Sequence, residues 1–413
     1  MHTKLAPPLE QSVTAHEAEA IVRRCVHCGF CLATCPTYQV LGDERDSPRG
    51  RIYLIQQLLE GAPADATTQT HLDRCLGCRA CETTCPSGVR YGALLDYGRG
   101  IVEAEPPRPP VERLKRAALL RIVPSRRRFG ALLGAARALA PLLPARLRAK
   151  LPPPARTVVA GAAAAPSAAP RRMLALDVCG ERTAAPNTRA ATERVFARLG
   201  IALDAVPRAG CCGALAYHMG RHEEGLAAMR RNIDAWWPAL ESGAAEAIVA
   251  TATGCALTLR EYGHLLRHDA DYAEKARRVA ALVRDPAEIV ADAEHAWLAG
   301  IGRGRRIAFH APCTLQHGLR RETLVEGLLR EAGYELAPVA DAHLCCGSAG
   351  SYSLLQPALA DTLRTRKLAA LEAGAPEVIA TANVGCQLHL AAAAARPVRH
   401  WIELIDAASL DAA

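Results

Sequence analysis

The sequence predicts an α+β multidomain chain: an N-terminal α-helical domain, then two duplicated α/β domains with parallel sheets. Three observations carry this. Two segments near the N-terminus share one cysteine spacing, Cys25-x2-Cys28-x2-Cys31-x3-Cys35-Pro36 and Cys75-x2-Cys78-x2-Cys81-x3-Cys85-Pro86. Eight further cysteines are arranged twice over, as Cys179, Cys211-Cys212-Gly213, Cys255 and as Cys313, Cys345-Cys346-Gly347, Cys386. Around that second set, strand-like and helix-like stretches alternate, the pattern of parallel sheets covered by helices.

The spacing of the first motif is specific to one chemistry. Three thiolates two residues apart wrap a short loop round one corner of an iron–sulfur cubane, and the fourth points away along a helix start. In two-cluster proteins of this kind the fourth cysteine ligates the other cluster. The expected ligand sets are therefore Cys25, Cys28, Cys31 and Cys85 for one [4Fe–4S] cluster, and Cys75, Cys78, Cys81 and Cys35 for the other. Pro36 and Pro86 redirect the chain and lack an N–H, and Gly29 and Gly77 permit tight turns. Zinc usually takes CxxC pairs split by a longer loop, so a zinc-bound scaffold fits poorly. His27 reads as a neighbour rather than a ligand.

Between Cys35 and Cys75 lie 39 residues. Ser47-Pro48 predicts an N-cap with proline at the first helical position. Ile52, Ile55, Leu58 and Leu59 then share one face, and Gly61 suits the helix end. Thr14 with Glu17 predicts a capping box for the helix leading to Cys25. This N-terminal region resembles the α-helical ferredoxin domains of multi-subunit respiratory dehydrogenases.

The second cysteine set is an internal duplication. The gap from the lone cysteine to the cysteine pair is 31 residues in both copies, and IVATATGC matches VIATANVGC. Expected strands are MLALDV, LDAV and AIVATA in the first copy, and IAFHA, ELAPV and EVIATA in the second. Helices are expected near 187–199, 222–240, up to Gly333, and near 357–373. Each cysteine then follows a strand, where the carboxyl ends of an open parallel sheet line a crevice. Cys179, Cys211, Cys212 and Cys255 are one candidate site for a further cluster or zinc; Cys313, Cys345, Cys346 and Cys386 are the other. Redox-active thiols and simple buried thiols are the alternatives. His218, His310, His317 and His343 lie near the same edges and read as satisfied residues outside the site.

The chain has 413 residues, sixteen cysteines and a net charge of +8. Without a recognisable signal peptide, that many cysteines points to metal binding in the reducing cytoplasm rather than to disulfides. No apolar run is long enough for a transmembrane helix. From Arg108 to Lys150 there are twelve Lys/Arg and one acid, so the basic character belongs to one stretch and nucleic acid is not the expected partner. That Leu/Ala/Arg stretch is amphipathic, suited to an anionic membrane surface or to a partner subunit. The TVVAGAAAAPSAAP run after it reads as a linker. The expected domains are 1–105 with two clusters, 106–172 as the basic segment and linker, and 173–300 and 301–413 as the two duplicated units.

The strings CVHCGFCLATCPTY, SPRGRIYLI, CLGCRACETTCPSGV, AGCCGAL, CCGSAGSYSL and TANVGCQ carry a further likeness. With them the chain resembles the iron–sulfur subunits of glycolate oxidase (glycolate dehydrogenase), whose second half is a pair of cysteine-rich CCG domains. The resemblance implies an electron-transfer subunit that passes electrons from FAD-binding partner subunits, which oxidise glycolate and D-lactate, toward the membrane quinone pool. It implies peripheral association with the cytoplasmic face of the inner membrane. No residue of this chain is expected to be catalytic, and the chain alone is not expected to oxidise substrate; it has no dinucleotide fingerprint. Equivalent subunits of lactate or anaerobic glycerol-3-phosphate dehydrogenases share the motifs. Related domains of heterodisulfide reductase carry an extra cysteine where this chain has Ala252 and Asn383, which weighs against thiol–disulfide chemistry.

Overall fold

A computed structural model of the chain describes residues 1–142, 151 and 171–406. The expected linker and the basic LPARLRAK run lie outside the described residues. The chain divides into two units that do not follow sequence order. The first combines Met1–Ala117 with Leu215–Gly225 and His343–Lys367; the second combines Ala118–Ala214, Leu226–Ala342 and Leu368–Ala413.

The first unit is helical. Its main helices are Val13–Arg24, Pro48–Leu59, Ala66–Asp73 and Tyr91–Ala104. The second of these starts as the sequence predicts: Ser47 Oγ accepts from the Gly50 N–H at 3.0 Å, with Pro48 in the first turn. Such a cap stabilises a helix by about 1 kcal/mol. Gly50 is required sterically, since a Cβ there would sit 1.9 Å from the Glu44 carbonyl oxygen. Ile52, Ile55, Leu58 and Leu59 are buried against Val22, Leu72, Leu94, Leu95 and Val102, closing one apolar core. The capping box expected from Thr14 and Glu17 is corrected. Ser12 is the N-cap, accepting from the Ala15 N–H at 3.3 Å, and Thr14 lies inside the helix. Ser12 comes first in the chain and can reach a free N–H of the first turn, so the helix begins one turn fraction earlier.

The second unit holds two four-stranded parallel sheets. In one, β1 (Arg171–Ala175), β2 (Ile201–Ala205), β3 (Ala247–Val249) and β4 (Val283–Arg284) lie in the order β2-β1-β3-β4. In the other, β5 (Arg306–His310), β6 (Glu335–Leu336), β7 (Val378–Thr381) and β8 (Val398–His400) lie in the order β6-β5-β7-β8. Arg171 is opposite Ile201 and Met173 opposite Ala247; Arg306 is opposite Glu335 and Ile307 opposite Val378. β3 is buried throughout, as expected of a central strand covered on both faces. The predicted helices appear at Pro186–Arg198, His222–Glu241, Glu322–Glu331 and Pro357–Glu372. Two strands exceed expectation: β4 and β8 complete the sheets from only two and three residues.

The two sheet copies are tied by buried polar contacts. His400 is the most informative. Its Nε2–H donates to the Thr251 carbonyl at 3.0 Å, and its Nδ1 accepts from the Ile402 N–H at 3.3 Å. This neutral tautomer is satisfied at both nitrogens, and burial lowers its pKa to about 4. The folded chain thus refuses a proton that the unfolded chain accepts below its ordinary pKa near 6.5. The stability contributed by His400 is complete above that value and is lost as pH falls toward 4. His400→Gln should cost about 1–3 kcal/mol at pH 7.5. By pH 5 the gap to the parent should shrink, by at most about 1.4 kcal/mol per pH unit. Urea midpoints at both pH values check this; a gap that stays constant or widens refutes it.

Candidate functional site

The helix Val13–Arg24 ends on Cys25, and the first cysteine loop follows at once. Its backbone takes left-handed turns at His27 (φ 55°) and Gly29 (φ 84°); the second loop does the same at Gly77 (φ 63°) and Arg79 (φ 61°). The two loops therefore have one conformation with the glycine at alternate places. Glycine adopts it freely, whereas His27 and Arg79 are held there at a cost of about 1–2 kcal/mol each. Sequence reading found the glycines but not their non-glycine counterparts.

These turns gather the thiols. Cys25, Cys28, Cys31, Cys81 and Cys85 line one cavity with Pro86, Val89 and Tyr91. Burial pushes the Cys25 thiol up, and Cys85 and Cys28 push it further as like charges. Burial likewise raises Cys31 to about 11. Cys35 is raised by burial and by Cys75, with Arg51 opposing. Cys81 is raised well above its ordinary value by burial, then by Cys78, Cys75 and Cys35. Cys85 thus neighbours the first motif, and Cys35 neighbours the second.

Donors surround the sulfurs. The Gly77 N–H reaches Cys75 Sγ at 3.4 Å, the Val89 N–H reaches Cys85 Sγ at 3.5 Å, and the Tyr91 hydroxyl reaches Cys75 Sγ at 3.6 Å. Thr37 Oγ1 lies 3.3 Å from Cys35 Sγ. Tyr352, from the segment after the second cysteine pair, is raised by burial and by the nearby Cys75, and its buried hydroxyl has no hydrogen-bond partner among the described residues. All sixteen cysteines are free of disulfides. Thiols crowded together and ringed by donors, with the ionisation of Cys25, Cys31, Cys35 and Cys81 opposed by burial, suit bound iron, whose charge removes that cost. His27 has its pKa lowered by burial and by Arg49, in keeping with a neutral neighbour.

A buried polar network lies beneath Cys35 and Cys75, and sequence reading missed it. Arg51 is fully buried. Its guanidinium donates to the His71 carbonyl at 2.7 Å, to Thr37 Oγ1 at 3.1 Å and to Asp46 Oδ1 at 3.2 Å. The signal was present: Arg51 shares a helical face with Ile55 and Leu58, where a cation is out of place. The basic stretch is corrected in part by a second network. Arg108 and Arg116 do not face water but are buried against Asp73, Glu103 and Glu112. Arg126, Arg127 and Arg128 are exposed, as expected.

In the second unit, Cys179 follows β1, Cys211 and Cys212 follow β2, and Cys255 lies in the first turn of helix Thr253–Leu265 after β3. The chain order reverses between β1 and β3, so these loops open on the switch point of the sheet. The four sulfurs form a continuous hydrogen-bonded row. Cys179 and Cys212 donate to Cys211, which holds Cys211 well below its ordinary pKa and pushes its two donors well above theirs; Cys255 bonds Cys212 in turn. Asn232 fixes the loop by accepting from the Gly210 N–H at 2.8 Å and donating to the Cys211 carbonyl at 2.9 Å. The Tyr262 hydroxyl donates to the Cys212 carbonyl at 2.8 Å. In the second copy Cys313 and Cys386 belong to the second unit, and the buried Cys345 and Cys346 belong to the first. His218, left outside the site, pairs through Nδ1 with the buried Asp96 at 2.9 Å.

Comparison with known proteins agrees with both cysteine systems. Residues 21–89 match the family model of the 4Fe-4S dicluster domain, and residues 174–260 and 307–391 match that of the cysteine-rich domain. The chain is 53% identical over 408 residues to the glycolate oxidase iron-sulfur subunit of Escherichia coli (strain K12), covering 99% of each. It is 30% identical over 398 residues to the probable glycolate oxidase iron-sulfur subunit of Bacillus subtilis (strain 168), covering 90% of this chain and 89% of that one. Lactate utilization protein A of Bacillus licheniformis is 29% identical over 49% of this chain. Full-length likeness at this level, with both cysteine-bearing regions matched, makes the chain a member of the glycolate oxidase iron–sulfur subunit family.

Proposed function

We propose that the chain conducts electrons from an FAD-bearing partner subunit, which oxidises glycolate to glyoxylate, to a quinone-linked acceptor at the membrane. The carrying observation is the pairing of two cysteine loops of one conformation, each with the last cysteine of the other beside it. Cys25, Cys28, Cys31 and Cys85 would hold one [4Fe–4S] cluster, and Cys75, Cys78, Cys81 and Cys35 the second. When bound, such clusters change charge one electron at a time, dividing the pair released by a flavin. The chain's own part is to hold the sulfurs, exclude water and set the local field. D-Lactate is the second substrate of the proposed complex; the lactate relatives align with only half of the chain, whereas the glycolate oxidase relative spans it.

Asn383 supports conduction over thiol–disulfide chemistry. Its side chain accepts from the Gly385 N–H at 2.9 Å, capping helix Val384–Ala391, and donates to Thr253 Oγ1 at 3.3 Å. A residue so committed does the work of a cap. We further propose that Cys179, Cys211, Cys212 and Cys255 bind one more metal centre, because four thiols in one row at a sheet switch point supply a complete thiolate set.

No helix among the described residues is long and apolar enough to cross a membrane. Peripheral docking through helix Arg126–Ala138 is supported by the exposed Leu132, Leu139 and Leu142 alongside Arg126, Arg127 and Arg128.

Four outcomes test these readings. Full-length chain isolated without oxygen should carry about eight cluster irons with matching sulfide, the content of two cubanes. Cys35→Ser should then disturb the same paramagnetic signal as Cys78→Ser and spare the one lost in Cys28→Ser; the reverse grouping refutes the ligand interchange. Cys211→Ser should remove a metal increment beyond the two clusters while leaving both signals in place, and no such increment in the parent refutes the third centre. The chain alone should turn over no glycolate, and its removal should uncouple the flavin partner from the quinone. Glycolate oxidation by the isolated, flavin-free chain refutes the conduit role.

A further inference from the structure

We infer that Arg51 makes the two clusters unequal, raising the reduction potential of the one held by Cys35, Cys75, Cys78 and Cys81 above that of its neighbour. The inference rests on the ligand sets proposed above and adds a direction to them.

A cluster gains one negative charge on reduction, so a fixed cation beside it favours the reduced state. The effect grows as water and counter-ions are excluded. Arg51 meets both conditions. It is 0% exposed, and its guanidinium lies beside both Cys35 and Cys75. Asp46 offsets its charge, yet Asp46 is shared with a second cation, Arg74, at 3.1 Å. Two guanidinium groups on one carboxylate leave a net positive charge.

A hydroxyl extends the effect. Arg51 donates to Thr37 Oγ1, and the Thr37 hydroxyl donates to the Asp46 carbonyl at 2.8 Å, so Thr37 holds the guanidinium in place within one side chain of Cys35 Sγ, 3.3 Å from Thr37 Oγ1. The Tyr91 hydroxyl donates to Cys75 Sγ on the same side. Hydrogen bonds to cluster sulfur raise the potential in the same sense as a nearby cation.

The first ligand set has a different setting. Cys25 and Cys31 are stabilised by backbone N–H groups, and Cys85 by the Val89 N–H. The nearby cations are the Met1 ammonium, which donates to the Cys25 carbonyl at 2.7 Å, and Arg49, whose side chain is 30% exposed and bound to Glu44 at 2.7 Å. Both are reached by water, unlike Arg51, and so are screened. The two clusters thus share a loop conformation but not a field, and electrons settle on the Arg51 side.

The test is an anaerobic redox titration of the full-length loaded chain, following the paramagnetic signals of the reduced clusters. The parent should show two waves. Arg51→Gln, which removes the buried positive charge, should lower the upper wave and leave the lower one in place. A tenfold change in the reduction equilibrium corresponds to a shift of about 59 mV for one electron. Tyr91→Phe removes only one hydroxyl and should lower the same wave by a smaller amount, so it decides the matter if Arg51→Gln does not load. Arg51→Lys should keep the wave near its parental place. Movement of the lower wave, equal movement of both, or no movement in any variant overturns the inference while the cluster assignment stands. A parent chain with no two clusters to titrate overturns both.

Discussion

Sulfur crowded against sulfur in an apolar interior is the constraint from which the first unit is built. Buried thiolates repel one another and lose hydration, and the raised pKa values of Cys25, Cys31, Cys35 and Cys81 express that cost. Iron supplies most of the compensating charge, but the polypeptide must be shaped to receive it. The left-handed turns at His27, Gly29, Gly77 and Arg79 swing the sulfurs inward. The Ser47-capped helix brings Arg51 beneath them. Removing one member of such a buried ion pair typically costs about 3–5 kcal/mol, so the network that sets the field also secures the loops.

The sheets of the second unit meet a related requirement by other means. There, the loops leaving β1, β2 and β3 are long enough to bring three chain segments to one edge. Their conformation is fixed largely by side-chain bonds to backbone groups. Asn232 and Tyr262 hold the carbonyls of Cys211 and Cys212, and Asn232 Nδ2 also donates to the Tyr262 hydroxyl at 3.1 Å. The Cys211 sulfur is held by bonds from Cys179, Cys212 and the Gly213 N–H, which push its pKa well down.

What the sequence revealed followed from how local each signal is. The cysteine spacing and the Ser47-Pro48 cap are short-range, and both were legible. Hydrophobic runs located β1, β3, β5 and β7, because central strands must be buried on both faces. β4 and β8 were not legible: two or three residues bordering a sheet carry no period of their own. Thr14 and Glu17 made a plausible cap, but Ser12 competed for the same first-turn donors. Arg108 and Arg116 read only as part of a basic amphipathic stretch, since nothing local distinguishes a cation bound for water from one bound for Asp73; Arg51 was missed although its place on the face of Ile55 and Leu58 marked it. His27 and Arg79 were missed because left-handed conformation is signalled by glycine, and neither is glycine.

The contacts of Asn383 favour conduction over thiol exchange as the reading of this chain. A fifth thiol near the end of β7 would need an open coordination place and a substrate disulfide within reach. Asn383 closes that option twice, by capping the helix that carries Cys386 and by bonding Thr253 in the other sheet copy. Thr253 is itself bonded to Thr314 Oγ1 at 2.8 Å, and its N–H donates to the Ala382 carbonyl at 3.3 Å. The position where reactivity would enter is therefore occupied by contacts that lock the duplicated sheets together. Rigidity of that kind suits electron transfer, in which small nuclear rearrangement favours rapid passage, and it opposes the loop movements that thiol exchange demands. In the proposed complex, the chemistry of bond breaking is left to the flavin-bearing partner.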